Sequence, residues 1–180
     1  MKLMIASDIH GSLYYLEKLI DCYKKEKPDK LILLGDLLYH GPRNDLPKGY
    51  EPKKVIEILN NIKKDIICVR GNCDTEVDQM VLEFPIMADY GILYYNKRMI
   101  FATHGHNIKN LPVLNSGDIL LCGHTHIPAF EKQDDYYYIN PGSVSIPKEN
   151  SKNSYILFDD GKFMWKDLDM NIYGEEYIND

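Results

Sequence analysis

The stretch Lys2-Leu-Met-Ile-Ala-Ser-Asp-Ile-His10 joins a short apolar run to two side chains that commonly bind metals. The same arrangement recurs four more times along the chain. The five runs are 2–7 before Asp8, 31–34 before Gly35-Asp36, 66–70 before Gly71-Asn72, 99–103 before His104, and 119–122 before Gly123-His124. Apolar runs of about four to eight residues bounded by Gly or Asp are typical of buried strands. The sequence therefore predicts five strands that each end near a polar, chemically capable residue.

Two segments between these runs have the spacing of amphipathic helices. Ser12 is a candidate N-cap, and the apolar residues of 13–23 fall on one helical face. Pro52 suits the first turn of a second helix, whose apolar stripe continues through 55–62. Alternation of strands and helices favours an α/β fold with a mostly parallel central sheet.

The pattern of the chain changes after residue 136. Segments 136–139, 154–158 and 162–166 resemble strands, and Asp159-Asp160-Gly161 resembles a hairpin turn. These features predict a second, more antiparallel sheet packed on the first. The loop 37–51 is rich in Gly, Pro, Asn and Asp, and loops of that length in compact domains are often functional.

Length and composition predict a single domain spanning residues 1–180. A chain of 180 residues suits one hydrophobic core, whereas two domains would each be too small. The net charge of −6 disfavours a basic groove for a polyphosphate backbone, so no stable nucleic-acid binding is expected. There is no CxxC pair, signal-peptide pattern or apolar run near the ~20 residues of a membrane span. These features predict a cytoplasmic protein that does not enter membranes.

Seven metal-binding side chains fall at or just beyond predicted strand ends, where open α/β sheets bind ligands. Mixed carboxylate, amide and imidazole donors suit Mn²⁺, Fe²⁺, Zn²⁺ or Ni²⁺ better than Ca²⁺ or Mg²⁺. Because seven donors are too many for one ion, the set indicates two ions that share a carboxylate. Asp8 and His10 lie two residues apart, as do His124 and His126. An extended backbone would turn both members of each pair to one side. The candidates are Asp8, His10, Asp36, Asn72, His104, His124 and His126.

Simpler explanations exist for these residues one at a time. Asp36 alone fits a turn residue after Gly35, and Asn72 alone fits an Asx-turn. Their joint placement favours the metal interpretation, because four of the six histidines belong to the set.

The ordered motifs resemble the calcineurin-like metallophosphoesterase superfamily, and in particular its small bacterial YfcE-type phosphodiesterases. Further similarity lies in residues 6–12, 40–44, 69–74, 76–80 and 140–147. The resemblance implies an αββα sandwich, in which two mixed sheets are flanked by helices. It also implies how the ligands divide: Asp8, His10 and His126 for the first ion, Asn72, His104 and His124 for the second, and Asp36 bridging both.

The resemblance implies a metal-dependent phosphodiesterase, most simply a Mn²⁺ enzyme, in which a hydroxide between the ions attacks the phosphorus of a small phosphodiester. Asn72 and Cys73 are the candidate catalytic residues. The wider superfamily has a histidine at the position of Cys73, generally assigned to leaving-group protonation, so cleavage of poor leaving groups is in doubt. Asp74 is then expected to be an N-cap for a helix near Thr75. Candidate substrate contacts are Arg43 and His106; the alternatives are a solvated loop arginine and a histidine that bonds a loop carbonyl. Arg70 is expected to be structural, and His40 has no assigned role.

Other functions remain open for the same residues. A phosphomonoesterase or a nuclease is one alternative, although the acidic charge disfavours a nuclease and Cys73 disfavours general monoester hydrolysis. A metal-site scaffold that only binds partners is another, but such scaffolds typically lose ligands that this chain retains. A metal-storage or sensor protein would not need ligands left open for substrate. The sequence also leaves a homo-oligomer, dimer or tetramer, open.

Overall fold

Two mixed β-sheets form the protein in a computed structural model that describes residues 1–178. The strands are β1 (Lys2–Ala6), β2 (Lys30–Leu33), β3 (Ile66–Cys68), β4 (Tyr90–Tyr95), β5 (Arg98–Thr103), β6 (Asp118–Leu121), β7 (Pro128–Lys132), β8 (Tyr136–Pro141), β9 (Ser154–Asp159), β10 (Lys162–Asp167) and β11 (Ile172–Tyr177). The helices are α1 (Leu13–Glu26), α2 (Pro52–Asn61) and α3 (Glu76–Val81), with 3-10 turns at Lys63–Asp65 and Ile108–Asn110.

The first sheet has the strand order β11-β10-β9-β1-β2-β3. Strands β1, β2 and β3 run parallel, and β9 pairs antiparallel with the other edge of β1, so that Ile5 lies between Ile32 and Ile156. The β9–β10 hairpin turns at Asp160-Gly161, where φ is 47° and 83°, the left-handed geometry of a tight hairpin. The predicted hairpin is confirmed.

The prediction that all five early strands share one sheet is wrong. Residues 99–103 and 119–122 form β5 and β6 of the second sheet, whose order is β4-β5-β6-β8-β7. The predicted strands 154–158 and 162–166 instead extend the first sheet as β9 and β10. The second sheet is also less antiparallel than expected, because β5, β6 and β8 run parallel. A strand buried on both faces carries no signal for the sheet it joins.

Alternating side chains on each strand separate the layers. Leu3 and Ile5 enter the core between the sheets, whereas Met4 and Ala6 pack against the helices. The predicted cap of α1 is confirmed, since the Ser12 hydroxyl accepts the N–H of Tyr15, and Pro52 begins α2 as expected. The expected α/β sandwich is confirmed: the protein has two mixed sheets and few helices.

The outer face of the second sheet is covered differently from that of the first. Leu111 and Leu114 pack over Phe101 and Leu120 there, from a segment without α-helix. Within residues 1–178, no helix combines the length and apolar character needed to cross a membrane.

Candidate metal centre

Each candidate ligand lies just beyond the carboxyl end of a strand, and the two sheets contribute almost equally. Because the sheets face each other, these strand ends meet at one edge of the sandwich. The first sheet supplies Asp8, His10, Asp36 and Asn72, and the second sheet supplies His104, His124 and His126.

Left-handed backbone conformations orient five of these residues. The φ angles are 59° at Asp8, 49° at His10, 56° at Asp36, 65° at His124 and 63° at His126. Residues other than glycine rarely adopt such angles, and they persist where surrounding structure enforces them, commonly at functional sites. We predicted that an extended backbone would orient the pairs Asp8/His10 and His124/His126. That prediction is wrong, because all four residues have left-handed backbone conformations.

Residues 140–147 supply part of that enforcement. The hydroxyls of Ser143 and Ser145 both donate to the backbone carbonyl of Asp8, at 2.9 and 3.0 Å. The Asn140 amide donates to the carbonyl of Gly123 at 2.8 Å, just before the histidine pair that follows β6. Sequence analysis marked this segment only by resemblance, and its supporting role depends on contacts between residues far apart in the chain.

Three candidate histidines are held in one tautomer by backbone carbonyls. Nδ1 of His10, His104 and His126 lies 2.7, 2.6 and 2.7 Å from the carbonyl oxygens of Tyr39, Leu34 and Ile146. A carbonyl can only accept, so Nδ1 carries the proton and Nε2 of the neutral ring is an acceptor. Metal-binding histidines are commonly oriented in this way.

The Nε2 atoms point at each other and at Asp8. The Nε2 atoms of His10 and His126 are 3.3 Å apart, and Asp8 Oδ1 lies 3.5 and 3.2 Å from them. Asp8 Oδ1 is buried, and it has no hydrogen-bond partner among the described residues. Acceptors that converge without a donor between them are stabilised by a cation, so these residues fit a metal ion.

Asp36 lies between this group and a second one. Its Oδ2 is 3.6 Å from His10 Nε2 and 3.5 Å from His104 Nε2. Asn72 Oδ1 is 3.1 Å from His104 Nε2, and the His124 ring centroid lies 5.0 Å from that of His104. All seven candidates therefore lie in one cluster, with Asp36 at its centre.

The electrostatics of the cluster match this geometry. Burial acts to raise the pKa of Asp36, but the neighbouring His104 lowers it, and the net pKa is below its usual value. The carboxylate is therefore ionised. Burial opposes protonation of His104, yet Asp36 and Asp8 raise its pKa to about 9. Burial and the neighbouring His104 lower the pKa of His124.

Two glycines of the motifs allow the strand ends to come close together. A Cβ added at Gly71 would lie 2.1 Å from Asp36 Oδ1, and one at Gly123 would lie 2.0 Å from Ser7 Oγ. Real Cβ atoms do not approach other atoms so closely. The glycines before Asn72 and His124 are thus required by packing at the site.

Asp74 does not cap the following helix, contrary to the sequence prediction. Thr75 is the N-cap of α3, in a capping box with Asp78. The buried Asp74 carboxylate instead accepts the backbone N–H groups of Gly71, Asp36 and Leu37 at 2.7, 2.8 and 2.9 Å. It therefore ties the turn after β3 to the turn that carries Asp36. The spacing of Asp74 from Gly71 and Asn72 was the feature of the sequence that could have indicated this contact.

A cleft of about 400 Å³ opens over the cluster. Cys73 lies in its wall, with Sγ 3.1 Å from the Asn72 amide nitrogen and within 4.8 Å of ligand atoms of His10 and Asp36. Burial raises the pKa of its thiol to about 12. The side chains lining the cleft include Asp36, Arg43, Asn72, Cys73, His124, His126 and Lys148.

The remaining candidates lie around this cleft. Arg43 is exposed on the 37–51 loop and lines the cleft, as expected of a substrate contact. His106 is exposed, with its ring 5.4 Å from that of His104. The His40 ring packs edge-on against Tyr39 and Tyr50. Arg70 donates from Nε to the carbonyl of Asp74, which is a structural contact.

Comparison with known proteins places this arrangement in a family. Residues 1–161 match the calcineurin-like phosphoesterase superfamily domain. The chain belongs to the calcineurin-like phosphoesterase superfamily. Members of this superfamily are metal-dependent phosphoesterases, so the chain is a hydrolase of phosphate esters and divalent metals are its expected cofactors.

Several calcineurin-like phosphoesterases are similar over most of the chain. Phosphodiesterase YfcE of Escherichia coli K12 is 50% identical over 161 residues, covering 88% of each chain. A phosphodiesterase of Methanocaldococcus jannaschii is 30% identical over 151 residues, covering 79% of this chain and 83% of its own. The solved structure of the E. coli phosphoesterase YfcE superposes with a TM-score of 0.95 at 47% identity, covering 99% of this chain and all of that one.

Proposed function

We propose that the protein is a binuclear phosphodiesterase that hydrolyses small phosphodiesters with two divalent ions, preferably Mn²⁺. The observation that carries the proposal is the convergence of carboxylate and imidazole groups around Asp36, among them the buried Asp8 Oδ1, which has no hydrogen-bond partner among the described residues. Mn²⁺ accepts both carboxylate oxygen and imidazole nitrogen, which suits this mixed donor set.

The proposed ligands divide between two ions that share Asp36. Asp36 would contact both ions, because its Oδ2 lies almost equally far from His10 and His104. Bound ions would supply an activated water and neutralise charge on the phosphoryl group. The ligands proposed are Asp8, His10 and His126 for one ion, and Asn72, His104 and His124 for the other.

The side chains lining the cleft have their own functions in the reaction. The Arg43 guanidinium would bind a non-bridging phosphate oxygen and orient the diester, since its planar fork suits two such oxygens. Asn72 and His106 would contact the phosphate or leaving group at the exposed side of the cluster. Cys73 offers only a thiol, a weak hydrogen-bond donor. We therefore expect leaving groups that depart as anions to be favoured.

The proposal includes a single cytoplasmic domain over residues 1–180. Both sheets share one apolar core, which supports a single folding unit. The four cysteines are buried and free, which suits a reducing compartment.

Chelation tests the metal requirement directly. Dialysis against a chelator should abolish hydrolysis of bis(p-nitrophenyl) phosphate, and added Mn²⁺ should restore it with about two ions bound per chain. Asp36→Asn is the matched variant, because it keeps the shape but removes the shared charge. We expect it to bind less Mn²⁺ and to lose at least about 100-fold in kcat/KM. Full activity in metal-free wild-type protein would overturn the proposal.

A further inference from the structure

Lys148 lies at the mouth of the cleft in a tightly defined turn. Residues 148–151 form this turn, with the N–H of Ser151 donating to the Lys148 carbonyl at 3.0 Å. Glu149 and Asn150 have φ of 52° and 58°, the left-handed pair of a type I′ turn. A glutamate in this conformation is strained, which indicates that the surroundings enforce the turn.

The backbone of Lys148 is anchored beside a candidate metal ligand. Its N–H donates to the His126 carbonyl at 3.2 Å, and its own carbonyl also accepts the Ser151 hydroxyl at 2.6 Å. The side chain is exposed and lines the same cleft as Asp36 and Arg43. The turn therefore fixes the start of a flexible cationic side chain at one wall of the cleft.

The positive charge of Lys148 has no paired carboxylate among the described residues. Among residues 1–178, no carboxylate forms an ion pair with Lys148 or with Arg43, although the chain carries a net charge of −6. A phosphodiester group has one negative charge, and Arg43 and the metal ligands already face it. The charge of Lys148 is then available to another part of the bound molecule.

We propose that Lys148 binds a second anionic group on the substrate, so that the preferred substrates are phosphodiesters with a further phosphate or carboxylate. This inference rests on the proposed function, because it assumes that a diester binds over the metal cluster. Arg43 and Lys148 come from separate segments that both line the cleft, and we expect them to bind separate groups. The inference makes Lys148 a determinant of specificity rather than of the chemical step.

A matched pair of chromogenic diesters tests this assignment. Thymidine 5′-(p-nitrophenyl phosphate) and its 3′-phosphorylated form differ only in one terminal phosphate. Wild-type enzyme should prefer the 3′-phosphorylated form by about fivefold in kcat/KM, the size of one solvent-exposed ion pair. Lys148→Gln should bring the ratio near one, and Lys148→Arg should keep it. Lys132→Gln, at the far end of β7, is the control and should also keep it.

Equilibrium binding provides a second measurement that does not require turnover. By calorimetry, thymidine 3′,5′-bisphosphate should bind wild-type protein more tightly than thymidine 5′-phosphate, and this difference should disappear in Lys148→Gln. A wild-type ratio near one in both assays, or an unchanged ratio in Lys148→Gln, overturns the inference. Failure of Mn²⁺-loaded wild type to hydrolyse either diester overturns the proposed function instead, and the binding ratio then decides the role of Lys148.

Discussion

Gly71 and Gly91 form a matched pair for testing how closely the strand ends must approach. In Gly71→Ala the new methyl group would collide with Asp36 Oδ1, whereas in Gly91→Ala the nearest atom is Val69 Cγ1 at 3.6 Å, an ordinary contact. We expect Gly71→Ala to lower the free energy of unfolding by about 1–3 kcal/mol and to weaken Mn²⁺ binding at least about tenfold. Gly91→Ala should stay within about 0.5 kcal/mol of wild type. Urea unfolding and Mn²⁺ titration measure both effects, and wild-type affinity in Gly71→Ala would contradict the expectation.

Cys73 allows a test of leaving-group chemistry. An aryl oxide departs as an anion, whereas a nucleoside hydroxyl needs a proton, and general acid assistance is typically worth about 10²–10⁴-fold. Cys73→His would place a donor beside Asn72, so the ratio of kcat/KM for an aryl diester to that for a 2′,3′-cyclic nucleotide should fall. Cys73→Ala is the control for lost packing and should leave the ratio unchanged. If Cys73→His also leaves it unchanged, position 73 does not control protonation of the leaving group.

Individual residues differ in how far sequence alone identified them. The candidate ligands stood out because rare residue types recur at strand ends, a pattern visible without coordinates. The support given by Asp74 and Ser143 was not visible, because their hydrogen bonds join turns distant along the chain. Lys148 was also missed, since one lysine in a loop gives no signal until the cleft is known.

At the scale of secondary structure, local sequence patterns identified the helices and strands better than they identified which strands pair with one another. Helix α1 has a capping serine, α2 begins with a proline, both have periodic apolar residues, and the β9–β10 hairpin has its own turn residues, so all three were predicted. The assignment of β5 and β6 to the second sheet depends on which apolar faces meet, and every run looked equally buried. Strands β4, β7 and β11 were missed. β7 and β11 lack a continuous apolar run, and in β4 exposed residues alternate with half-buried ones.

The turn between β10 and β11 gives an element with a defined pH dependence. The Asp167 carboxylate accepts the N–H groups of Asp169 and Asn171 at 3.1 and 2.9 Å and pairs with Lys152. Burial acts to raise the pKa of Asp167, but the Asn171 and Lys152 contacts leave it lowered from 3.8. A lowered folded-state pKa stabilises the fold above the unfolded pKa, and this contribution is lost as pH falls through the folded value.

Asp167→Ala should therefore unfold more easily than wild type at pH 7, by about 1–2 kcal/mol. The difference should shrink as the pH falls from the unfolded-state pKa through the lower folded-state pKa, because the wild-type carboxylate is then protonated. Asp134→Ala, at an exposed carboxylate between β7 and β8, is the control and should show little difference at either pH. A gap between wild type and Asp167→Ala that stays constant from pH 7 to pH 3 would contradict this account.

At the scale of the whole molecule, the proposed ions would connect the two sheets. Their ligands follow β1, β2 and β3 on one side and β5 and β6 on the other. For each of the two ions, Mn²⁺ at about 100 times its dissociation constant should add about 2.7 kcal/mol to the free energy of unfolding. Hydrogen exchange should slow in β1 and β5 together, because opening either sheet releases the metal. Protection confined to one sheet would show that the ligands of the other do not bind.

The pairing of β1 with β9 has a consequence for the nascent chain. About 150 residues must be synthesised after Ile5 before Ile156, its antiparallel neighbour, exists. Almost as many separate Asp8 from the serine hydroxyls that hold its carbonyl. At ribosomal speeds of ~5–20 residues per second, the delay is roughly 8–30 s. Throughout that interval one edge of β1 is open to pairing with other chains, and the turn that carries Asp8 lacks the serine hydroxyls that hold its backbone. We therefore expect the proposed ions to bind only after most of the chain has been synthesised.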